Sequence, residues 1–169
     1  YVKNLTTGGR INERDRWFVR GQALFEPDSN LSIRIIGDYG KIDESCCGVF
    51  NVRASAATAL IKSPLIGGQV NAPGDIYRDK VYYNYDPSNK ITNWGGSAQI
   101  DYDFGNVKLT SITAYRKNKT LTDFDTDFTS GDMVRGANIS SVGLKTWTQE
   151  LRLTTTIADR LDLLVGGFY

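Results

Sequence analysis

The sequence predicts an all-β fold, an antiparallel meander of six strands, and two observations support this prediction. Runs rich in Val, Ile, Thr, Tyr and Phe alternate apolar and polar residues with a period of two, and Gly, Pro, Asn and Asp bound these runs. Consecutive runs are joined by short turn sequences in three places, which makes three hairpins. The predicted strands span residues 15–25, 31–41, 93–104, 107–116, 146–155 and 161–169.

The connections within the hairpins are much shorter than those between them. Residues 26–30, 105–106 and 157–160 form the short turns, whereas the long loops span residues 42–92 and 117–145. Because neighbouring strands run in opposite directions, the short turns lie at one end of the sheet and the long loops at the other. This separation is typical of outer-membrane barrels, which have short periplasmic turns and long extracellular loops.

Alternation along the strands predicts a sheet with one apolar and one polar face. The third predicted strand separates the two faces best: Trp94, Gly96, Ala98, Ile100 and Tyr102 oppose Gly95, Ser97, Gln99, Asp101 and Asp103. The fourth strand is the weakest, because Ser111 and Thr113 share a face with Leu109. A soluble β-sandwich gives the same pattern, so alternation alone leaves open whether the apolar face contacts lipid or a protein core.

Aromatic residues favour lipid as the partner of the apolar face. One of them lies on this face at the loop end of each strand: Trp17, Tyr39, Trp94, Tyr115, Trp147 and Tyr169. Eight positions separate each from the apolar-face residue at the turn end, which is about 20 Å along the membrane normal at roughly 3.3 Å per residue and a tilt near 40°. This span is close to the ~25 Å apolar band of a membrane barrel. The sequence therefore predicts an aromatic girdle at one membrane interface.

Composition argues against several other classes of function. Twenty basic and 19 acidic side chains are spread along the chain, so no basic patch suggests nucleic acid as a partner. The chain has no histidine, which removes His-based acid–base catalysis and the commonest zinc and haem ligand. No apolar run reaches the ~20 residues of a membrane helix. We therefore expect no enzyme activity, no catalytic residues and no cofactor.

Several strand motifs resemble the barrel of TonB-dependent receptors. They are RGQALFEP, SAQIDYDF, LTSITAYR, TQELRL and LVGGFY, at residues 20–27, 97–104, 109–116, 148–153 and 164–169. The resemblance covers nearly the whole chain and keeps the order of the strands. It implies a barrel of about twenty-two strands in the cell outer membrane of a Gram-negative bacterium. It also implies energised uptake of a scarce ligand, such as a ferric siderophore or a cobalamin.

The resemblance makes this chain one part of a larger barrel, because about eight strands are the practical minimum for closure. The implied partners are outer-membrane lipid, the plug domain of the same parent protein, which is absent here, and a small-molecule ligand. The TonB energising complex would bind a region outside this chain. Two alternatives stay open: a passive outer-membrane porin, whose channel carries similar charges, and a soluble all-β ligand-binding module.

Aromatic and basic residues in the first long loop form a candidate ligand-binding site. Their side chains suit an aromatic or anionic ligand, and they are Tyr77, Arg78, Tyr82, Tyr83 and Tyr85. The structural alternative is a rigid loop hairpin that closes at residues 86–89.

Two further groups in the loops are candidates for special chemistry. Cys46 and Cys47 are neighbours and form a candidate disulfide that would stiffen the loop, the alternative being two free thiols. Asp123, Asp125 and Asp127 imitate the start of a calcium loop but lack the glycine and the closing glutamate of an EF-hand. We interpret this acidic run as a strand that continues beyond the membrane with its carboxylates facing solvent or the lumen. Calcium binding is the alternative, and we otherwise predict no metal site.

Overall fold

Strands dominate the computed structural model, which describes residues 1–72, 74, 77–134, 139–158 and 160–169. Strands take 58% of the chain and helix 4%, so the fold is all-β, as the alternation predicts. The elements of the described part are β1 (Val2–Asn4), β2 (Arg10–Ile11), β3 (Arg16–Asp28), β4 (Leu31–Glu44), α1 (Ala56–Ile61), β5 (Lys80–Val81), β6 (Ser88–Asp103), β7 (Val107–Asp123), β8 (Ile139–Ile157) and β9 (Leu161–Phe168).

The six long strands form one antiparallel sheet in the order β3-β4-β6-β7-β8-β9. Each of these strands is hydrogen-bonded to the next long strand along the chain, which confirms the predicted antiparallel sheet of six strands. Over the described ranges the sheet is open, with β3 and β9 at its edges. Pro27 fits this arrangement, because a residue without a backbone N–H is tolerated on an edge strand.

Side-chain oxygens close the first two short turns. Asp28 Oδ1 accepts hydrogen bonds from the backbone N–H groups of Asn30 and Leu31, at 2.8 and 3.0 Å. The turn is shorter than the predicted 26–30, because β3 continues through Asp28. In the second turn Asp103 Oδ1 accepts from the N–H of Gly105, whose φ of 90° favours glycine. The third predicted turn, 157–160, includes residue 159, which lies outside the described residues.

The long strands extend further toward the loops than the alternation predicts. β6 begins at Ser88 instead of 93, β7 ends at Asp123 instead of 116, and β8 begins at Ile139 instead of 146. In these added segments, the face that is apolar in the middle of each strand carries mostly polar residues, so the predicted alternation ends before the strands do. The segments between the long strands are 45–87 and 124–138, and residues 135–138 of the second are outside the described part.

The pairing of β8 with β9 shows which residues share a face of the sheet. Leu153 lies opposite Val165, and Thr155 lies opposite Leu163, on the predicted apolar face. The neighbouring pair, Arg152 and Gly166, lies on the other face. This register agrees with the predicted alternation in both strands.

Contacts divide the chain into two compact units. The sheet unit comprises residues 18–40, 92–119 and 143–169, and the loop unit comprises residues 1–17, 41–91 and 120–142. In the described part of the chain every buried hydrophobic side chain belongs to the loop unit. The sheet unit instead exposes large apolar side chains along its strands: Val19, Ile35, Ile100, Leu151, Leu153 and Val165.

The loop unit has a small core of its own. In its sheet, of order β2-β1-β5, β1 pairs antiparallel with β2 and parallel with β5. The core consists of four buried residues, against which Phe50 packs: Val2, Ile11, Val81 and Tyr83.

The loop unit also contains the helix α1, which the sequence did not predict. The helix begins at a capping box: the Ser55 side chain accepts a hydrogen bond from the N–H of Thr58, and the Thr58 side chain accepts one from the N–H of Ser55.

Two glycines of the sheet unit differ in the space around them, and this difference is testable. A Cβ added at Gly95 would lie 2.7 Å from the backbone oxygen of Tyr115, whereas a Cβ at Gly21 would meet no atom within 4 Å. We expect Gly95→Ala to lower the free energy of unfolding by about 1–3 kcal/mol through overpacking. Gly21→Ala is the control and should change it by less than about 0.5 kcal/mol. Urea unfolding measures both, and equal losses would contradict the described packing.

Candidate ligand-binding loops

Tyr83 lies in the core of the loop unit. Its side chain is 0% exposed, and its ring lies 5.9 Å from that of Phe128. The hydroxyl donates to the carbonyl oxygen of Val49 at 2.9 Å and accepts from the N–H of the same residue at 2.5 Å. Burial raises the pKa of the Tyr83 hydroxyl to about 12. The structure leaves no surface on Tyr83 for the ligand contact that the sequence predicts.

Asn4 joins the start of the chain to the segment around Tyr83. This asparagine is fully buried, and its Nδ2 donates to the backbone oxygen of Tyr83 at 3.1 Å and to Asp86 Oδ1 at 2.9 Å. Its Oδ1 accepts from the N–H of Tyr83 at 3.1 Å. Asp86 therefore helps to hold the loop unit together. The predicted hairpin turn at residues 86–89 is wrong, since strand β6 already begins at Ser88.

The other predicted ligand-binding residues differ in exposure. Tyr77 is 88% exposed and Arg78 is also exposed, whereas Tyr82 is half-buried. Tyr85 is half-buried as well, and its hydroxyl donates to the backbone oxygen of Phe124. Of the five predicted residues, Tyr77 and Arg78 therefore offer the largest surface to a ligand. Sequence analysis could not separate them from Tyr83, because all lie within one aromatic and basic stretch.

Asp125 is a buried carboxyl group, although the sequence predicted that it faces solvent or the lumen. Strand β7 ends at Asp123, and the chain then turns so that Asp125 Oδ2 accepts from the N–H of Asn84 at 3.1 Å. Its Oδ1 accepts from the N–H of Phe128, also at 3.1 Å. Burial raises the pKa of Asp125 to about 7, and the neighbouring Asp127 carboxyl raises it as well.

Asp127 closes the turn that follows Asp125. Its Oδ1 accepts from the N–H and the hydroxyl of Thr129, at 3.0 and 2.9 Å, and its Oδ2 accepts from the N–H of Met133 at 3.1 Å. In the part of the chain that the structure describes, no group of three or more His, Cys, Asp or Glu side chains could hold a metal ion. The calcium alternative for Asp123, Asp125 and Asp127 therefore finds no support, because the last two bind backbone N–H groups instead.

The cysteine pair lies beside a buried ion pair. Cys46 and Cys47 are joined by a disulfide, with Cys46 buried and Cys47 exposed. Two residues earlier, the buried Glu44 carboxylate accepts hydrogen bonds from Arg14 at 3.3 Å and from Arg16 Nη2 at 3.0 Å. The hydrogen bond from Arg16 lowers the pKa of Glu44. Glu44 thus fixes the start of the segment that carries the disulfide.

Comparison with known proteins adds no family to these observations. No protein-family model matches the chain, and no curated protein or solved structure matches it either. Among the described residues, no helix combines the length and the apolar composition that crossing a bilayer requires. The physical properties of the sheet and of the loops are therefore the basis for assigning a function.

The roles of the tyrosines can be separated by removing single hydroxyl groups. Tyr83→Phe deletes both hydrogen bonds to Val49 and should lower the stability of the loop unit by about 1–2 kcal/mol. Tyr77→Phe removes a hydroxyl from an exposed side chain and should leave stability unchanged. Hydrogen exchange at the Val49 amide measures the effect. A similar loss of protection in both variants would contradict the buried role of Tyr83.

The raised pKa of Asp125 predicts that the loop unit loses stability as the pH increases. Because the folded pKa of about 7 lies above the ordinary 3.8, the folded state holds more protons between these values than the unfolded state. Stability should therefore fall from about pH 4 to about pH 7 and then become constant. Protection factors of the Asn84 and Phe128 amides report this change. Asp125→Asn cannot ionise and should flatten the profile, so an unchanged slope in this variant would assign the effect to another group.

Proposed function

We propose that this chain is part of a transmembrane β-barrel in the outer membrane of a Gram-negative bacterium. Within such a barrel, we assign it to a TonB-dependent receptor that takes up a scarce small-molecule ligand. The observation that carries the proposal is the exposed apolar face of the six-stranded sheet. The strand motifs, which resemble those of the receptor family, favour the receptor over other barrels.

The apolar face is large enough that its exposure to water would be costly. Val19, Ile35 and Val165 are each more than half exposed, and Leu151 and Leu153 are nearly so. Each such side chain is worth about 1.5–3 kcal/mol when it is removed from water. A soluble β-sandwich would cover this face with a second sheet, whereas in a membrane barrel the lipid covers it. This difference favours a membrane barrel over the soluble binding module.

Aromatic side chains lie at the loop end of this face. The rings of Trp94 and Tyr115 pack against each other with centroids 5.4 Å apart. Trp17, Trp147 and Tyr169 are at least half exposed at the corresponding ends of their strands. Tryptophan and tyrosine are enriched where membrane proteins cross the interface between lipid and water. The positions of these residues therefore support the same orientation as the lengths of the loops.

Three polar side chains in the middle of the apolar face, those of Ser111, Thr113 and Gln149, satisfy one another. Gln149 Nε2 donates to Ser111 Oγ at 3.1 Å, and the Thr113 hydroxyl donates to Gln149 Oε1 at 2.5 Å. Hydrocarbon offers no hydrogen bonds, so a polar group can lie against lipid at low cost only if it has partners within the protein. The polar residues that weaken the alternation in β7 are thus compatible with lipid.

The opposite face of the sheet carries paired charges. Arg116 donates two hydrogen bonds to Asp38, at 2.9 and 2.8 Å, and Arg152 pairs with Glu150 on the same strand. Asp101 accepts from Thr110 at 2.6 Å. Such a face suits a barrel interior that packs against a plug domain or contacts water. In the receptor that we propose, the partners are a plug and the TonB energising complex, and Tyr77 and Arg78 are the exposed candidates for ligand contact.

A passive porin is the second candidate function. Its channel would be lined by similar charges, so the polar face does not separate a porin from a receptor. The open edges of β3 and β9 fit either barrel, since further strands would pair with them. The discriminating observation is a plug domain in the parent protein, which a receptor has and a passive porin lacks.

Two neighbouring residues of β6 test the proposed membrane orientation. Ala98 lies on the apolar face, so Ala98→Arg places a charge near the middle of the bilayer and should cost about 2–4 kcal/mol of folding free energy. Gln99 lies on the polar face and donates to Asp101 Oδ2 at 2.7 Å. Gln99→Arg keeps this acidic neighbour and should cost much less.

Urea titration of the folding of the full-length parent protein into lipid vesicles measures the two costs. Equal costs at positions 98 and 99 would show that the faces are assigned wrongly. A full-length parent protein that folds and stays soluble in buffer without lipid would overturn the membrane proposal.

A further inference from the structure

Lysines follow the aromatic residues on the apolar side of the sheet unit. Lys117 comes two residues after Tyr115 on β7, and Lys119 comes two residues later. On β8, Lys145 comes two residues before Trp147. Because side chains two positions apart on a strand share a face, all three lysines lie on the same side of the sheet as these aromatic rings. We call them the lysine cluster.

The pairing of β7 with β8 brings the lysine cluster together. Gln149 is hydrogen-bonded to both Ser111 and Thr113, and Thr155 to the carbonyl oxygen of Asn106, from which we infer that Gln149 lies opposite Thr113. Continuing this alignment toward the loops places Tyr115 beside Trp147, and two positions further it places Lys117 beside Lys145. Like charges at neighbouring cross-strand positions repel each other. An anion between the lysines would relieve this repulsion.

The lysine cluster differs in its partners from the other lysines of the six long strands. Lys41 and Lys90 share the Asp43 carboxylate, at 3.1 and 3.8 Å, and Lys108 pairs with Asp103 at 3.4 Å. Over the residues that the structure describes, neither Lys117, Lys119 nor Lys145 forms an ion pair. Lys119 and Lys145 are exposed. A Cβ added at the nearby Gly143 would meet no atom within 4 Å, so the surface around them is open.

We propose that the lysine cluster binds the phosphate of a membrane lipid head group. This inference rests on the proposed membrane function, which places the aromatic girdle at the interface and the next residues at the level of the head groups. Lysine is a common ligand of phosphate in proteins. A lipid fits better than free phosphate, because the apolar face continues below the cluster and the acyl chains of the same molecule would lie against it.

Quenching of Trp147 fluorescence by a brominated lipid tests the proposal. The experiment uses the full-length parent protein with every tryptophan except Trp147, including Trp17 and Trp94, replaced by phenylalanine, folded into vesicles of phosphatidylcholine that contain brominated phosphatidic acid. Trp147 neighbours the lysine cluster and should be quenched more strongly by this lipid than by brominated phosphatidylcholine. The triple variant Lys117→Gln, Lys119→Gln, Lys145→Gln should weaken the relative affinity for phosphatidic acid by about fivefold for each lysine, and about a hundredfold in total.

A charge-matched control separates a site from general attraction. The triple variant Arg20→Gln, Arg34→Gln, Lys108→Gln removes the same charge from the polar face and should keep the preference for phosphatidic acid. An equal loss in both triple variants would overturn the proposal. Abolition of the preference by inorganic phosphate would show that the cluster takes the free anion instead of the lipid.

The same measurements distinguish failure of the proposed membrane function from failure of the proposed lipid site. Failure of the unmodified full-length parent protein to insert into phosphatidylcholine vesicles would overturn the membrane function and the lipid site together. Insertion without a preference for phosphatidic acid would overturn the lipid site alone.

Discussion

The rest of this structure depends on how the apolar face of the sheet is removed from water. A sheet with one apolar face gains its largest stabilisation when that face leaves water. The side chains on this face are exposed, while the hydrophobic core of the described residues lies in the loop unit. The satisfied amide of Gln149, the aromatic rings at the strand ends and the paired charges of the opposite face are all consistent with lipid on the apolar side.

The loop unit solves a different problem, since only a few of its apolar side chains are buried and polar contacts must supply much of its order. Buried polar groups stabilise a fold only when each finds a partner. Asn4, Glu44 and Asp125 are buried, and each forms at least two hydrogen bonds with residues far away in the sequence or within the following turn. The rigidity of these loops thus depends on hydrogen bonds and ion pairs as much as on the small apolar core.

Sequence reasoning predicted the sheet well because its signals are local. Alternation, turn residues such as Asp28 and Gly105, and the order of the hairpins are all visible within short windows. The loop unit was not predicted, because its decisive contacts join distant residues: Lys3 pairs with Lys80, and Asn4 binds Tyr83. Composition could not show that Tyr83 is buried and Tyr77 exposed, since the two are chemically identical and differ only in these long-range contacts.

The loop unit is built from three separate stretches of the chain, and this limits how its loops can be exchanged. Its core takes Val2 and Ile11 from the first stretch and Val81 and Tyr83 from the second, while Asp125 of the third receives a hydrogen bond from Asn84. Grafting one loop from another protein would leave these partners unmatched. Changes to these loops must therefore either replace all three stretches together or be confined to exposed positions such as Tyr77.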